Sequence, residues 1–197
     1  MLELLNSCAW AFDFPILDWI HANMANGFMD VVMPIITLFG DGGVFWILCA
    51  VAMLFSPKTR KVGLTMGLAL AMGLLVCNIT IKPLVGRPRP VDLLASKDIY
   101  LPFAVKAMHD FSFPSGHTIA SFEASVVLLM NNKKLGIPAV ILAILISFSR
   151  LYLYVHYPTD VLVSVVLGTL FAILAQVIMK RVNLPERTNR GKYERAA

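Results

Sequence analysis

Five long apolar stretches constrain the fold of this chain more than any other feature of its sequence. They occupy residues 42–56, 62–81, 115–130, 135–153 and 158–179. Each is near the length that a helix needs to cross about 30 Å of hydrocarbon. A hydrophobic content of 58% and a mean hydropathy of +0.74 exclude a soluble domain of this size. The sequence therefore predicts an all-α fold, a polytopic bundle of transmembrane helices with five spans.

Residues 1–41 are apolar but do not have the pattern of a clear membrane-spanning helix. They contain five acidic residues, two prolines and no Lys or Arg. This pattern favours two short or interfacial helices over one crossing helix, although a sixth span stays open. The Gly40-Asp41-Gly42-Gly43 run that follows predicts a turn. Because the N-terminus lacks a basic region, no cleavable signal peptide is expected.

The basic residues predict the orientation of the bundle in the membrane. The net charge is +5, but the positive residues cluster beside the spans and not on one polar face, which argues against a nucleic-acid partner. Three clusters fall on one face: Lys58, Arg60 and Lys61; Lys133 and Lys134; and the tail at 182–197. That face should be cytoplasmic. We therefore expect one membrane domain over residues 1–181 in the cell membrane, and a basic cytoplasmic tail over 182–197.

Two polar segments interrupt the apolar pattern, and both should lie on the opposite, extracytoplasmic face. They are the loop at 82–113 and the junction at 149–160, which carry the cations Lys82, Arg89 and Arg150. The N-termini of the third and fifth spans add free amides and partial positive charge, so the pattern predicts a phosphate site. No pair of carboxylates or histidine cluster has metal-ligand spacing, so neither a metal nor another cofactor is expected.

Two histidines accompany the cations and could carry a reaction at phosphorus. His156 precedes Asp160 by four residues, so the two would share a face if the helix near Pro158 extended back one turn. The carboxylate would then orient the imidazole as a nucleophile. His117, at the start of the third span, is suited to protonate the leaving oxygen.

The same residues form three motifs that resemble the signature of the type 2 phosphatidic acid phosphatase superfamily. They are Lys82-Pro-Leu-Val-Gly-Arg-Pro-Arg89-Pro90, Pro114-Ser115-Gly116-His117, and Ser149-Arg150 followed by His156 and Asp160. The resemblance covers about 80 residues, in the family's order and spacing. It implies a phosphohistidine mechanism with catalytic residues His156, His117 and Asp160. It also implies that the phosphoryl oxygens are held by Lys82, Arg89, Ser115, Gly116 and Arg150.

The resemblance implies a membrane enzyme that acts on lipid phosphates or diphosphates without a metal. Undecaprenyl diphosphate is the substrate favoured for a short chain of this kind, with phosphatidylglycerophosphate and phosphatidate as alternatives. Vanadate-dependent haloperoxidases share these residues, but they are soluble, and five apolar spans argue against that class. A lipid or phosphate transporter would not need both histidines. The expected partners are the substrate and membrane lipids, without nucleic acid or an obligate protein partner.

Several other polar residues receive a structural interpretation. Arg87 lies outside the motif pattern and is interpreted as a headgroup or loop contact. Glu123 is six residues from His117 on one helix, so it should face elsewhere, as a protonated or hydrogen-bonded group between helices. His109 and Asp110 are interpreted as solvated loop residues near the rim of the site. The cysteines lack disulfide or metal-ligand spacing and are treated as small apolar residues: Cys8, Cys49 and Cys77.

Overall fold

The structure of the protein is a computed structural model that describes residues 2–101, 108 and 110–182. This part of the chain is helical and contains no strand, so the predicted all-α class is confirmed. The predicted tail lies outside the described residues except for Val182, and so does His109.

Two helical stretches, over residues 2–24 and 27–38, precede the bundle. Residues 2–24 form α1 (Leu2–Cys8), a π-helical segment (Ala9–Asp13) and α2 (Phe14–Met24) without a gap. The next helix, α3 (Gly27–Leu38), begins where Oδ1 of Asn26 accepts hydrogen bonds from the amides of residues 28 and 29, each 3.1 Å long.

The remaining helices form the bundle and its connections. They are α4 (Val44–Leu54), α5 (Arg60–Gly73) with its π-helical continuation (Leu74–Ile81), α6 (Lys82–Val85), α7 (Pro90–Ala95), α8 (Gly116–Asn131), α9 (Lys133–Tyr152) and α10 (Pro158–Lys180). A 3₁₀ segment over Asp41–Gly43 joins α3 to α4. Its glycines, Gly42 and Gly43, have φ angles of 57° and 66°, a left-handed conformation that favours glycine. The predicted turn is confirmed.

The number of spans differs from the five predicted. By length and composition, four described helical stretches could cross a membrane: Gly27–Leu54, Arg60–Ala95, Lys133–Tyr152 and Pro158–Lys180. Helix α8 is not among these four stretches because it has only 16 residues. It packs against α5, α9 and α10, and no residue from 116 to 129 is exposed. Its neighbours therefore cover its buried polar residues, Ser121, Glu123 and Ser125.

Helix α3 lies at one end of α9. The Tyr152 hydroxyl donates to Oδ1 of Asp30 at 2.6 Å, and Nη1 of Arg150 donates to Oγ1 of Thr37 at 2.6 Å. Asp30 and Thr37 are separated by about 10 Å along α3, whereas their partners are two residues apart at the end of α9. The two contacts hold α3 against the end of α9.

Close packing of α8 against α10 sets the ends of both helices side by side. At Gly168, an added Cβ atom would lie only 2.8 Å from the carbonyl oxygen of Ile119. Small buried residues, Ala124, Ala172 and Ala175, belong to the same core. The helices can approach because these positions carry little side-chain volume. Their N-termini, at residues 116 and 158, contribute to the site described next.

Candidate active site

The three sequence motifs meet in one cavity of about 860 Å³. Lys82 and Arg89 come from the segment after α5, His117 from the start of α8, and Arg150 and His156 from the α9–α10 junction. Asp160 lies behind His156 and does not line the cavity. The structure thus brings together the residues that the motifs singled out.

His156 lies in a loop and not on a helix. Helix α10 begins at Pro158, and Tyr157 has an extended backbone, so the helix does not extend back to His156. The loop nevertheless sets Nδ1 of His156 3.5 Å from Oδ2 of Asp160, longer than a normal hydrogen bond. Nε2 lies 3.4 Å from Nη1 of Arg89. The ring therefore directs Nε2 toward the guanidinium of Arg89 and Nδ1 toward the carboxylate of Asp160.

The surroundings of His156 favour its neutral form. Burial lowers the pKa of His156 well below its usual value, and the charges of Arg89, Arg150 and Lys82 lower it further. A neutral imidazole keeps a lone pair on one nitrogen, which a nucleophile needs.

Asp160 belongs to a buried ionic network centred on Arg87. Nη1 of Arg87 donates to Oδ1 of Asp160 at 2.5 Å, and Nη2 donates to Oδ2 of Asp13 at 2.8 Å. The guanidinium carbon lies 3.7 Å from the centre of the Tyr157 ring. Asp160 also accepts hydrogen bonds from the Tyr157 amide at 3.1 Å and from the Ser112 hydroxyl.

The interpretation of Arg87 as a headgroup or loop contact is therefore wrong. Its side chain is 0% exposed, because the N-terminal segment covers it and supplies Asp13. A sequence signal did exist: Asp13 lies in an apolar segment without any Lys or Arg, and a buried carboxylate requires a cationic partner from elsewhere.

Asp110 pairs with two of the cations that line the cavity. Its carboxylate lies 2.6 Å from Nζ of Lys82 and 2.5 Å from Nη2 of Arg89, and its carbonyl accepts from Nε of Arg89 at 3.0 Å. Burial alone would raise the pKa of Asp110, but the hydrogen bonds from Lys82 and Arg89 outweigh it and lower the pKa to about 2. Asp110 lies in a loop and is half exposed, as interpreted from the sequence, but it also pairs with Lys82 and Arg89, which the sequence did not indicate.

The start of α8 matches the predicted position but not every predicted contact. Ser115 is the N-cap residue, yet its side chain makes no capping hydrogen bond, and its amide donates to Oγ of Ser164 at 2.8 Å. Gly116 lines the cavity, whereas Ser115 does not. Of Ser115 and Gly116, which the resemblance implies as phosphoryl-binding residues, only Gly116 is a cavity-lining residue.

His117 has a partner that the motifs do not contain. Its Nε2 lies 2.7 Å from Oδ1 of Asp41, in the turn between α3 and α4. From the sequence, Asp41 was only part of a predicted turn, and no local pattern connects it with a residue 76 positions away.

The cavity continues from the cations along apolar walls. Helices α4 and α5 contribute Ile47, Leu54, Leu64 and Leu68 to its lining. Glu123 is 1% exposed, lies between α8 and α5 as predicted, and also lines this part of the cavity. The arrangement fits a molecule with an anionic end and an apolar body. Within residues 2–101, 108 and 110–182, no three His, Cys, Asp or Glu residues are arranged to hold a metal ion.

Comparison with known proteins identifies similar chains. The model of the PAP2 superfamily matches residues 62–184. The undecaprenyl-diphosphatase BcrC of Bacillus subtilis (strain 168) is 32% identical over 180 residues, covering 89% of this chain and 90% of that protein. An undecaprenyl-diphosphatase of Sulfolobus acidocaldarius is 29% identical, covering 82% and 74%. The crystal structure of a transmembrane PAP2 type phosphatidylglycerolphosphate phosphatase from Bacillus subtilis superposes with a TM-score of 0.65, at 26% identity, covering 90% and 96%.

Replacing Arg87 should destabilise the whole protein. Arg87→Gln leaves the carboxylates of Asp13 and Asp160 buried without a cation, a change that costs about 3–5 kcal/mol. We expect the thermal midpoint in detergent to fall by roughly 10 °C or more. Lys58→Gln, at an exposed position, is the matched loss of one positive charge and should leave the midpoint unchanged. Equal midpoints for the two variants would contradict this role of Arg87.

Replacing Asp110 should free the cations for an anion. Asp110→Asn removes the negative charge that competes with phosphate for Lys82 and Arg89. We expect inorganic phosphate to bind about tenfold more tightly, in line with the strength of a charged hydrogen bond. Competitive inhibition of turnover measures this affinity. Asp92→Asn removes an exposed negative charge and serves as the control. Weaker phosphate binding in Asp110→Asn alone would instead mean that Asp110 positions the cations for the substrate.

Proposed function

The chain belongs to the PAP2 superfamily, and from this we propose that it hydrolyses undecaprenyl diphosphate. It is a multi-pass membrane protein of a lipid phosphatase family. The observation that carries the proposal is the single cavity, which connects three cations and two histidines with an apolar wall. Such a cavity suits a diphosphate headgroup and the first part of a prenyl chain.

We propose that the reaction proceeds in two steps through His156. In the first, Nε2 of His156 attacks the terminal phosphorus, and the bond from phosphorus to the bridging oxygen breaks. His117 gives a proton to the departing oxygen of the lipid phosphate. In the second, a water gives a proton back to His117 and attacks the phosphohistidine, which releases inorganic phosphate and restores neutral His156.

The charges around the cavity support a mechanism without a metal. Lys82, Arg89 and Arg150 can bind the phosphoryl oxygens, together with the amide of Gly116 at the start of α8. Fixed cations and helix amides stabilise the charge that develops at phosphorus, which is the role of Mg²⁺ in many phosphoryl-transfer enzymes. Asp160 would hold the His156 ring through Nδ1, and Arg87 would hold Asp160.

The names of the similar proteins support two substrates. Two of them are undecaprenyl-diphosphatases, which favours the diphosphate. One structural neighbour is a phosphatidylglycerolphosphate phosphatase, so a glycerophospholipid monophosphate is the second candidate. A diphosphate has the better leaving group, because lipid phosphate departs more readily than an alkoxide.

The placement of basic residues supports a site on the extracytoplasmic side. Lys58 and Lys61 lie at the turn between α4 and α5, and Lys133 and Lys134 lie at the start of α9. These turns are at the ends of the helices opposite to the cavity's cations. Positive clusters favour the cytoplasm, so the site would face outward.

Purified protein should release phosphate in the presence of a chelator. We expect the highest kcat/KM for undecaprenyl diphosphate in a panel that also contains phosphatidylglycerophosphate, phosphatidate and lysophosphatidate. EDTA should leave the rate unchanged, because Lys82, Arg89 and Arg150 meet the substrate charge. Loss of turnover in EDTA with recovery in Mg²⁺ would overturn the metal-independent mechanism. A preference for phosphatidylglycerophosphate would replace the substrate but keep the reaction.

Single cysteines should report the side of the site. In a variant without the native cysteines, Lys97→Cys lies near the site end and Lys134→Cys at the opposite end, both at exposed positions. An impermeant maleimide should label Lys97→Cys in intact spheroplasts and Lys134→Cys only after lysis. The opposite labelling pattern would contradict the proposed orientation.

A further inference from the structure

The hydrogen bond between Asp41 and His117 has no counterpart in the three motifs. Resting on the proposed function, we propose that Asp41 is a positioning residue for His117. It would hold the imidazole in the tautomer and orientation that deliver a proton to the leaving oxygen. The distance of 2.7 Å between Nε2 and Oδ1 is that of a strong hydrogen bond to a carboxylate.

The turn is built so that its backbone touches the His117 ring. An added Cβ atom at Gly40 would lie 2.6 Å from Cδ2 of His117 and 2.8 Å from Cγ2 of Ile146. Gly42 and Gly43 take left-handed conformations that other residues avoid. A simple connection between α3 and α4 would not require a glycine against the ring edge. The three glycines instead allow Asp41 to approach His117 closely.

The contact fixes which nitrogen can react. The Nε2 proton is donated to Asp41, so Nδ1 is the nitrogen available to the departing oxygen. In the first step Nδ1 loses its proton to that oxygen, and in the second step it takes a proton from the attacking water. Nε2 keeps its proton in both steps. A carboxylate that binds the opposite nitrogen of a histidine serves the same purpose in hydrolytic triads.

The positive charges of the cavity oppose protonation of the His117 ring, and a carboxylate beside the ring offsets them. The charged and titratable groups that face His117 are Asp41, Arg150, Lys82 and His156. The arginine and the lysine repel a second proton on the His117 ring, whereas Asp41 attracts it. Among the groups of the described residues that act on His117, Asp41 carries the negative charge. Proton donation by His117 therefore depends on Asp41.

Asp41 contributes little to folding, so its variants can be assayed. Its side chain is 52% exposed, and an exposed ion pair stabilises a fold by only about 0–1 kcal/mol. Asp41→Asn keeps the shape of the side chain while removing the charge. The variant therefore separates an effect on chemistry from an effect on folding.

The test compares a poor leaving group with a good one. On phosphatidate, whose leaving group is an alkoxide, we expect Asp41→Asn to lower kcat about 10- to 100-fold with little change in KM, less than removal of the general acid itself. On p-nitrophenyl phosphate, the loss should be under threefold. His117→Ala should show the same dependence more strongly, and adding Asp41→Asn to it should cost nothing further. Asp92→Asn is the control and should match the wild type on both substrates.

The outcomes of this test distinguish a failure of the positioning role of Asp41 from a failure of the proposed function. Equal losses on both substrates in Asp41→Asn, or losses that add to those of His117→Ala, would overturn the positioning role while leaving the phosphatase proposal intact. If the wild type releases no phosphate from lipid or aryl substrates, the proposed function itself fails. A dependence on the leaving group in both single variants, without additivity, supports the inference.

Discussion

The buried guanidinium of Arg87 is the interaction on which fold and site both depend. It binds Asp13 in the N-terminal segment and Asp160 at the start of α10, and it lies on the face of the Tyr157 ring. A charge with no exposed surface is tolerated only when opposite charges pair with it. The ion pairs with Asp13 and Asp160 tie three distant parts of the chain together. The carboxylate fixed in this way is the one that lies 3.5 Å from Nδ1 of His156.

The positive charge of the site needs balance when no substrate is bound. Lys82 and Arg89 pair with Asp110, and Arg150 donates to Thr37 at the end of α3. Like charges held close together repel. These contacts offset that repulsion and keep the cations in place. An arriving phosphate would exchange with Asp110 and meet an already ordered set of donors. The apolar wall of the same cavity would bind the rest of the lipid.

Local patterns predicted the helices and the motif residues, whereas long-range contacts were not predictable. Hydropathy located the bundle helices within a few residues, and the glycines at 40, 42 and 43 marked the turn correctly. Helix α8 was expected to span the membrane, but it is short, and its neighbours, not lipid, cover its polar residues. The roles of Arg87, Asp41 and Asp110 were missed because their partners lie 21 to 76 residues away. Burial and charge pairing at that separation depend on the completed fold.

The most direct test of this account is the identity of the residue that carries the phosphoryl group during turnover. Rapid quenching with a terminally ³²P-labelled lipid diphosphate, followed by proteolysis and mass spectrometry, would locate the label. The account predicts an acid-labile, base-stable phosphohistidine at His156, and no label in His156→Ala. Label on His117 would reverse the roles of the two histidines. Turnover without any labelled protein at the earliest quench would contradict the covalent mechanism and favour direct attack by water.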